Sequence, residues 1–243
     1  MKAMVLAAGL GTRLRPLTND KPKALVEVGG RTMLQITLER LRGAGVREVI
    51  VNAHHFAEQL VEYLRAHENF GMRIEVSHED VLLDTGGGLK QAAWFFRGED
   101  EPFLLHNVDV VSTIDLVRMV AVHRDRGALA TLAVRERETS RQLLFDERGL
   151  LCGRRTGDAD AEMVRSVEAP RPLAFCGIHV MAPRLLETME EEGVFSIIDT
   201  YLRLAAGGER IAAFRADGYY WRDLGKPEQI AAAEKDREQG LWD

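Results

Sequence analysis

The chain has 243 residues, 46% of them hydrophobic and 29% charged, which is enough length for a buried core and excludes the composition of a disordered protein. Its 32 lysines and arginines against 38 aspartates and glutamates give a net charge of -6, which excludes a general electrostatic attraction to nucleic acid or to an anionic membrane surface. Any anion-binding site must therefore be a local feature.

The cysteine content and the amino-terminal apolar run indicate the cellular compartment. Cys152 and Cys176 are the only cysteines, and they do not form a C-x-x-C motif. In a chain of this size, reduced thiols are a simpler prediction than a disulfide framework. The apolar run at residues 4–8 is too short for a signal peptide or a membrane span. We therefore expect a cytoplasmic protein without a membrane or nucleic-acid partner.

The first half of the chain alternates short apolar runs with segments of helical periodicity. Residues 32–42 and 56–66 carry apolar side chains at spacings of three and four, which predicts helices that cover a sheet. The alternation predicts βαβ units around a parallel sheet. The predicted strands are AMVLAA (residues 3–8), EVIVNA (48–53), RIEVSH (73–78), FLLHNVD (103–109) and ALATLAV (128–134).

The second half has a mixed pattern. Two apolar runs flank residues 146–149, which predicts a β-hairpin, and the polar residues 156–172 predict an exposed loop. The charged segment RERETSR (residues 135–141) is interpreted as a solvated turn. Further predicted elements are strands at residues 174–181 and 210–216, a helix at 196–208 that ends on glycine, and a closing helix at 226–239 with Pro227 near its start.

The loop after the first predicted strand combines glycines with cations. Gly9 and Gly11 allow the main chain to approach an anion closely, and Arg13 and Lys23 are positive charges nearby. A dinucleotide fingerprint requires a third glycine where this chain has Leu14, and the Gly-Lys-Ser/Thr ending of a P-loop is absent. The loop therefore predicts a polyphosphate site of another kind, at the carboxyl ends of the strands.

Five segments of the chain together resemble the sugar-1-phosphate nucleotidyltransferases, the nucleotide-diphosphate-sugar pyrophosphorylases. They occur in the order of that family and span almost the whole chain. The segments are LAAGLGTRLRPLT followed by KPKAL (residues 6–25), DTGGG (84–88), which resembles the nucleobase loop, NVDVV (107–111), CGIHVM (176–181) and WRDLGKPE (221–228). The resemblance implies a Rossmann-like three-layer α/β/α nucleotidyltransferase fold with a mostly parallel central sheet and a small mixed sugar-binding lobe.

The same resemblance implies one nucleotidyltransferase domain over residues 1–243, with a nucleotide-binding half (1–135) and a sugar-binding and closing half (136–243). Its partners would be a nucleoside triphosphate and a sugar 1-phosphate. A phosphate oxygen of the sugar attacks the α-phosphorus in line, and pyrophosphate leaves. A monomer or a small homo-oligomer is expected.

Catalytic roles follow from the resemblance. Arg13 is expected to hold the β- and γ-phosphates, and Lys23 to lie between the α-phosphate and the attacking phosphate, so that both act mainly on the transition state. Asp109 and Asp223 are expected to be ligands of Mg²⁺, which binds one or two carboxylates together with substrate phosphates. The apolar and aromatic neighbours of both aspartates favour this role over that of solvated loop residues.

Substrate contacts are also implied. Glu79 has two open interpretations, as a residue that reads the edge of the base or as an exposed strand residue. The expected nucleotide contacts are Leu6, Ala7, Ala8, Gly9, Gly11, Thr12, Arg13, Glu79, Gly86 and Gly87. The expected sugar contacts are Asn107, Glu168 and Gly177.

Two departures from the family pattern leave the sugar undetermined. Many members have a Glu-Lys-Pro step whose lysine holds the sugar phosphate, whereas this chain has Glu168, Ala169 and Pro170. Either Arg171 replaces that lysine, or the chain belongs to the branch that resembles N-acetylmuramate 1-phosphate uridylyltransferase, which has the triple glycine and lacks the lysine. Val108 stands where the family usually has glycine before the metal-binding aspartate.

Uridylyl transfer to an amino-sugar or hexose 1-phosphate is the leading interpretation. Guanylyl transfer to mannose or heptose 1-phosphate and cytidylyl transfer to a phosphorylated alcohol are alternative reactions. A non-catalytic sugar-nucleotide sensor is the alternative from another class. The joint presence of two cations and two carboxylates speaks against the sensor, because a pure binder needs neither metal ligands nor a cation for the leaving group.

Overall fold

All 243 residues, Met1–Asp243, are described by the computed structural model. The strands are β1 (Lys2–Leu6), β2 (Glu27–Val28), β3 (Arg31–Thr32), β4 (Glu48–Ala53), β5 (Arg73–His78), β6 (Phe103–Asn107), β7 (Val110–Ser112), β8 (Ala130–Arg135), β9 (Arg141–Phe145), β10 (Leu151–Thr156), β11 (Glu162–Met163), β12 (Arg171–Met181), β13 (Ile211–Arg215) and β14 (Trp221–Asp223). The helices are α1 (Met33–Gly43), α2 (Ala57–Ala66), α3 (Asp84–Gln91), α4 (Leu116–Asp125), α5 (Arg184–Glu187), α6 (Ile197–Ala206) and α7 (Pro227–Glu238). No helix is both long enough and apolar enough to cross a bilayer.

Four parallel strands from the first half of the chain lie side by side in the order β5, β4, β1, β6. In β1, Ala3 and Val5 pack in one core cluster and Met4 packs in the other, and all three side chains are fully buried. A parallel sheet is covered on both faces, so its strands are apolar at successive positions. The predicted βαβ arrangement is confirmed, and β4 and β5 have the predicted bounds.

Strand β12 joins both halves of the chain in one ten-stranded sheet. It runs antiparallel to β6, β8 and β9. Its pairing with β8 shifts between Phe175 and His179, where Gly177 has a φ of +75° that favours glycine. The predicted boundary between the halves, after residue 135, falls at the end of β8. The division into two halves remains a prediction.

The predicted hairpin around residues 146–149 is formed by β9 and β10, which pair in antiparallel fashion. The Asp146 side chain accepts hydrogen bonds from the backbone N–H groups of Arg148 (2.9 Å) and Leu150 (2.8 Å), which shapes the turn. On β10, Arg154 forms an ion pair with Asp199 of α6. The hairpin is thereby tied to this helix.

The segment DTGGG begins helix α3, whereas the resemblance implied a loop. A Cβ atom on Gly86 would lie 2.3 Å from the ring of Phe195, so no side chain fits there. The N–H groups of Gly86 (3.0 Å) and Gly87 (3.3 Å) donate to the Phe195 carbonyl. Close packing of Gly86 and Gly87 against the segment before α6, and of Gly88 against Glu79 and Asn52, explains why three poor helix formers lie within a helix.

Cys152 and Cys176 are buried, and no disulfide joins them. Burial raises the pKa of Cys152 to about 11 and that of Cys176 to about 12. Both thiols are therefore protonated at neutral pH and act as small core side chains.

Candidate active site

Two cavities meet at the carboxyl ends of β1 and β6. The smaller has a volume of about 440 Å³ and the larger of about 1240 Å³, and Asn107 at the end of β6 lines both. Leu6, Ala8 and Gly9 line the smaller cavity, and Gly177 lines the larger. Ligand sites of α/β proteins usually occupy this end of the strands. Of the ten expected nucleotide contacts, four line the smaller cavity, and two of the three expected sugar contacts line the larger.

The glycine-rich loop forms one wall of the smaller cavity. A Cβ atom on Gly9 would have no neighbour within 4 Å, so the space beside this backbone is open. Gly11 has a φ of +62°, and a Cβ atom there would lie 2.9 Å from Thr18. The Thr18 hydroxyl donates to the Gly11 carbonyl at 2.9 Å. The loop is therefore held at Gly11, while Gly9 leaves room for a ligand to approach the main chain.

We expect Gly9→Ala to leave thermal stability unchanged but to weaken triphosphate binding about tenfold, because the new methyl group would occupy the space into which phosphates approach. Unfolding curves and titration calorimetry measure the two effects. Gly43→Ala is the matched control, since its Cβ atom also meets nothing within 4 Å but lies at the end of α1. Equal triphosphate affinity in both variants would contradict a phosphate site at Gly9.

A buried hydrogen-bond relay supports this loop from behind. Glu79 is 1% exposed. Its Oε1 accepts from Asn52 Nδ2 (2.7 Å) and its Oε2 accepts from Leu83 N–H (3.0 Å). Asn52 Oδ1 in turn accepts from the Ala7 N–H at 2.6 Å. The interpretation of Glu79 as an exposed strand residue is therefore wrong, and its contact with a base remains a prediction, since it also lines the smaller cavity.

Lys23 and Asp109 form an ion pair in the smaller cavity. Their side chains are 12% and 15% exposed. Lys23 begins a short 3-10 turn after Pro22, and Asp109 follows the end of β6. Partly buried charges are costly alone, so each stabilises the other. The expected catalytic lysine and one expected metal ligand are thus in direct contact.

The pairing of strands β7 and β14 brings Asp223, the other expected metal ligand, next to the segment that carries Asp109. Asp223 pairs with Val110 in antiparallel register, and the Leu224 N–H donates to the Asp109 carbonyl at 2.8 Å. Asp223 Oδ1 accepts from the Gly225 N–H at 2.7 Å. A Cβ atom on Gly225 would lie 2.7 Å from both Arg13 Nη2 and Asp223 Oδ1. Arg13 and Asp223 therefore both lie close to the space beside Gly225.

The sequence analysis expected the apolar and aromatic neighbours of Asp223 to make its surroundings unfavourable for an unpaired carboxylate. This expectation is wrong, because the Asp223 side chain is exposed. Trp221 is partly buried, and its Nε1 donates to the Cys176 carbonyl at 2.7 Å, so the aromatic ring anchors the strand instead of desolvating the carboxylate. The two aspartates and the phosphates of a substrate are a donor set that suits Mg²⁺. The structure contains no cluster of three or more acidic, histidine or cysteine side chains that could hold a metal by themselves.

Side chains from two helices hold the short strands β7 and β14. Arg40 of α1 donates to the carbonyls of Ser112 and Ile114, and burial lowers the pKa of Arg40 to about 10, so it stays charged at neutral pH. On α7, Asp236 accepts from the Tyr220 hydroxyl (2.8 Å) and from Arg222 (2.6 Å). Burial would raise the pKa of Asp236, but these hydrogen bonds hold it below the ordinary value of 3.8.

We expect Asp236→Ala to lower the free energy of unfolding by about 1–3 kcal/mol and to reduce kcat, because the partly buried donors Tyr220 and Arg222 lose their acceptor and β14 loses its support. Glu238→Ala is the control, an exposed acid on the same helix.

The stability that Asp236 contributes should depend on pH. Because the folded-state pKa of Asp236 is lowered, its contribution to the free energy of unfolding is full above pH 3.8 and is lost as the pH falls through the folded-state value. The difference in Tm between wild type and Asp236→Ala should therefore shrink below about pH 4. A constant difference down to pH 2 would contradict this ionic role.

The larger cavity is strongly cationic. A Cβ atom on Gly177 would lie 2.9 Å from Asn107 Nδ2, so the two expected sugar contacts are neighbours. The acidic residues that line the cavity are Glu136 and Asp223. The basic residues that line it are Arg13, Arg135, Arg137, Arg141, Arg154, Arg155, Arg222 and Lys226. The segment RERETSR, interpreted as a solvated turn, therefore supplies one wall of a cavity.

Several expected contacts lie outside both cavities. Glu168 is in an exposed bend and Arg171 is exposed at the start of β12, so the structure brings neither to the site. Gly86 and Gly87 are packed inside α3, and the neighbouring Thr85 lines the smaller cavity in their place. Three other expected nucleotide contacts, Ala7, Gly11 and Thr12, belong to the loop but line neither cavity.

His106 is a further buried residue beside the junction of the cavities. Burial lowers its pKa to about 4, so it is neutral at neutral pH. Its Nδ1 lies 2.8 Å from the Asn107 carbonyl. The positive charge at the junction therefore comes from Lys23 and Arg13, and not from this histidine.

The chain is similar to known proteins in sequence and in structure. The family model "Nucleotidyl transferase" matches residues 2–143. The chain is 39% identical over 247 residues to N-acetylmuramate alpha-1-phosphate uridylyltransferase of Caulobacter vibrioides, with 96% of this chain and 95% of that protein covered. It is 31% identical to mannose-1-phosphate guanyltransferase of Yarrowia lipolytica over 95% of this chain, which spans 62% of that relative.

Solved structures share the fold at low sequence identity. HddC from Yersinia pseudotuberculosis, in a crystal structure with GMP-PN, superposes with a TM-score of 0.77 at 20% identity and covers 97% of this chain and 99% of its own. A UDP-glucose pyrophosphorylase complexed with UDP-glucose gives a TM-score of 0.78 at 19% identity, with 98% of each chain covered. These likenesses support the three-layer α/β/α architecture.

Proposed function

Because the chain belongs to the nucleotidyl transferase family, we propose that it catalyses uridylyl transfer from UTP to a sugar 1-phosphate, with release of pyrophosphate. One observation carries the proposal. Lys23 and Asp109 form an ion pair in the smaller cavity, and Arg13 and Asp223 line the larger cavity next to it. The hydrogen bond from the Leu224 N–H to the Asp109 carbonyl (2.8 Å) joins the two places. A reaction between two phosphate groups requires such a concentration of positive charge and oxygen ligands between its two substrates.

The family relatives support the choice of nucleotide and acceptor. The Caulobacter relative matches over nearly its full length and is named as an N-acetylmuramate 1-phosphate uridylyltransferase. We therefore favour UTP and an amino-sugar 1-phosphate. Guanylyl transfer to mannose 1-phosphate, named for the Yarrowia relative, is the alternative, and the chain covers only 62% of that protein.

The residues divide the chemical work. In this proposal, Lys23 lies between the α-phosphate and the incoming sugar phosphate and lowers the repulsion between the two anions. Arg13 holds the two terminal phosphates as they leave. Asp109 and Asp223 would hold Mg²⁺, which would neutralise phosphate charge when bound. The backbone at Gly9 and the Asn52–Glu79 relay orient the nucleotide.

Three further properties belong to the same proposal. Mg²⁺ is favoured among divalent ions because the donors are all oxygen atoms. A cytoplasmic location and a monomeric or small homo-oligomeric state remain predictions from the sequence.

The test is a matrix of UTP, GTP, CTP, ATP and dTTP against sugar 1-phosphates and phosphocholine, with Mg²⁺ and a pyrophosphate readout. We expect most pyrophosphate with UTP and an amino-sugar 1-phosphate. Pyrophosphate with CTP and phosphocholine alone would show a different transferase. Release from no combination, together with tight binding of a sugar nucleotide, would show a non-catalytic sensor.

A further inference from the structure

The larger cavity is lined by several arginines that have no acidic partner, although the whole chain has a net negative charge. Arg154, Arg222 and Lys226 have acidic partners in Asp199, Asp236 and Glu228, respectively. The cations at this cavity without an ion pair are Arg13, Arg135, Arg137, Arg141 and Arg155. In a chain with a net charge of -6, a concentration of unpaired arginines is unfavourable unless an anion binds among them.

One group of these arginines lies beside the metal-binding strand. The Arg137 guanidinium stacks 4.7 Å from the centre of the Trp221 ring, and Trp221 precedes Asp223 by two residues on β14. Arg135 ends β8 opposite Ala174. Together with Arg13, these side chains line the same cavity as Asp223.

A second group lies on the hairpin. Arg141 pairs with Thr156, and Leu143 pairs with Arg154, so Arg141 and Arg154 project from the same face of the strands. That face is turned towards α6, because Arg154 contacts Asp199 of that helix. Arg155 pairs with Gln142 and projects from the opposite face. Arg141 is therefore the hairpin arginine on the α6 side that has no acidic partner.

We infer that Arg141 is a specificity-determining residue that binds a second anionic group of the acceptor, a carboxylate carried by the sugar in addition to its 1-phosphate. The inference rests on the proposed function and names its acceptor class. A guanidinium binds a carboxylate through two parallel hydrogen bonds. The volume of about 1240 Å³ exceeds the roughly 300–1000 Å³ of ordinary ligand pockets, which leaves room for a substituted sugar.

The experiment compares two acceptors that differ only in charge, N-acetylmuramate 1-phosphate and its carboxamide. We expect wild type to favour the acid in kcat/KM, and Arg141→Gln to lower this preference at least about tenfold. Arg141→Lys should restore part of the preference, because it keeps the charge but loses the two-pronged geometry. Arg148→Gln is the matched control, an exposed arginine in the turn at the other end of the same hairpin that should keep the wild-type preference.

Calorimetric binding of the two acceptors, with a non-cleavable UTP analogue present, tests Arg141 separately from turnover. Preferential binding of the acid that Arg141→Gln abolishes supports the inference even if no pyrophosphate forms, in which case the proposed function alone fails. Equal use and equal binding of acid and carboxamide by wild type would overturn it. Loss of preference in Arg148→Gln to the same degree as in Arg141→Gln would also overturn it.

Discussion

Asp223→Asn should fold normally and lose nearly all turnover, with kcat lower by roughly 10²–10³-fold. The side chain is exposed and its one protein hydrogen bond is from the Gly225 N–H at 2.7 Å, which an asparagine oxygen can also accept. The variant therefore removes a negative charge and little packing. Steady-state pyrophosphate release measures kcat, and a Mg²⁺ titration should show that more metal is needed for half-maximal activity.

Asp223 is a cleaner position for this test than Asp109. Replacement of Asp109 also removes the ion-pair partner of Lys23, so two roles would change together. Asp158→Asn is the control, an exposed aspartate in the loop between β10 and β11 that lines neither cavity. Normal kcat in Asp223→Asn, at an unchanged Tm, would show that the metal binds elsewhere.

Lys23→Ala should lower kcat about 10²-fold while it weakens triphosphate binding less than about tenfold. In its proposed position between two phosphate groups, Lys23 stabilises the transition state more than it stabilises the bound triphosphate. Steady-state rates and calorimetric binding of a non-cleavable UTP analogue separate the two effects. Asp109 loses its partner in this variant, so its Tm must be measured as well.

Lys21→Ala is the matched control for Lys23→Ala. It lies two residues away in the same segment and lines neither cavity, so it should change neither rate nor affinity. A Lys23→Ala variant with normal kcat and a large loss of affinity would assign Lys23 to ground-state binding alone.

The parallel part of the fold was predictable from the sequence because its signals are local. A strand buried on both faces is a continuous apolar run, and a helix on such a sheet shows a period of 3.6 residues. The first rule fits β4, which is buried from Val49 to Ala53 and has the predicted bounds. Strand β5 also has the predicted bounds, although it lies at the edge of the sheet and is mostly half-buried. The glycine-rich loop was predictable as well, since close approach to the main chain at Gly9 requires the absence of a side chain.

The rest of the site depends on long-range contacts that leave no local pattern. Strands β7 and β14 have three residues each, too few for a period, and neither was predicted. DTGGG was expected to be a loop. Its helical structure could not be predicted, because the packing of Gly86 against Phe195 involves a segment more than one hundred residues away. The cationic lining of the larger cavity was not predicted for the same reason. The segment RERETSR contains both acidic and basic residues, and only the fold shows that Arg137 and Arg141 line a cavity.

The hydrogen bond from Leu224 to Asp109 has a consequence for the newly synthesised chain. A ribosome releases residue 109 long before residue 223, so a nascent chain holds one carboxylate and its lysine for many seconds before the second carboxylate exists. Closing a loop of that length has an entropic cost that is met only when β14 reaches β7. Until then the growing polypeptide lacks the strand that carries Asp223, so the proposed metal site cannot assemble before β14 pairs with β7.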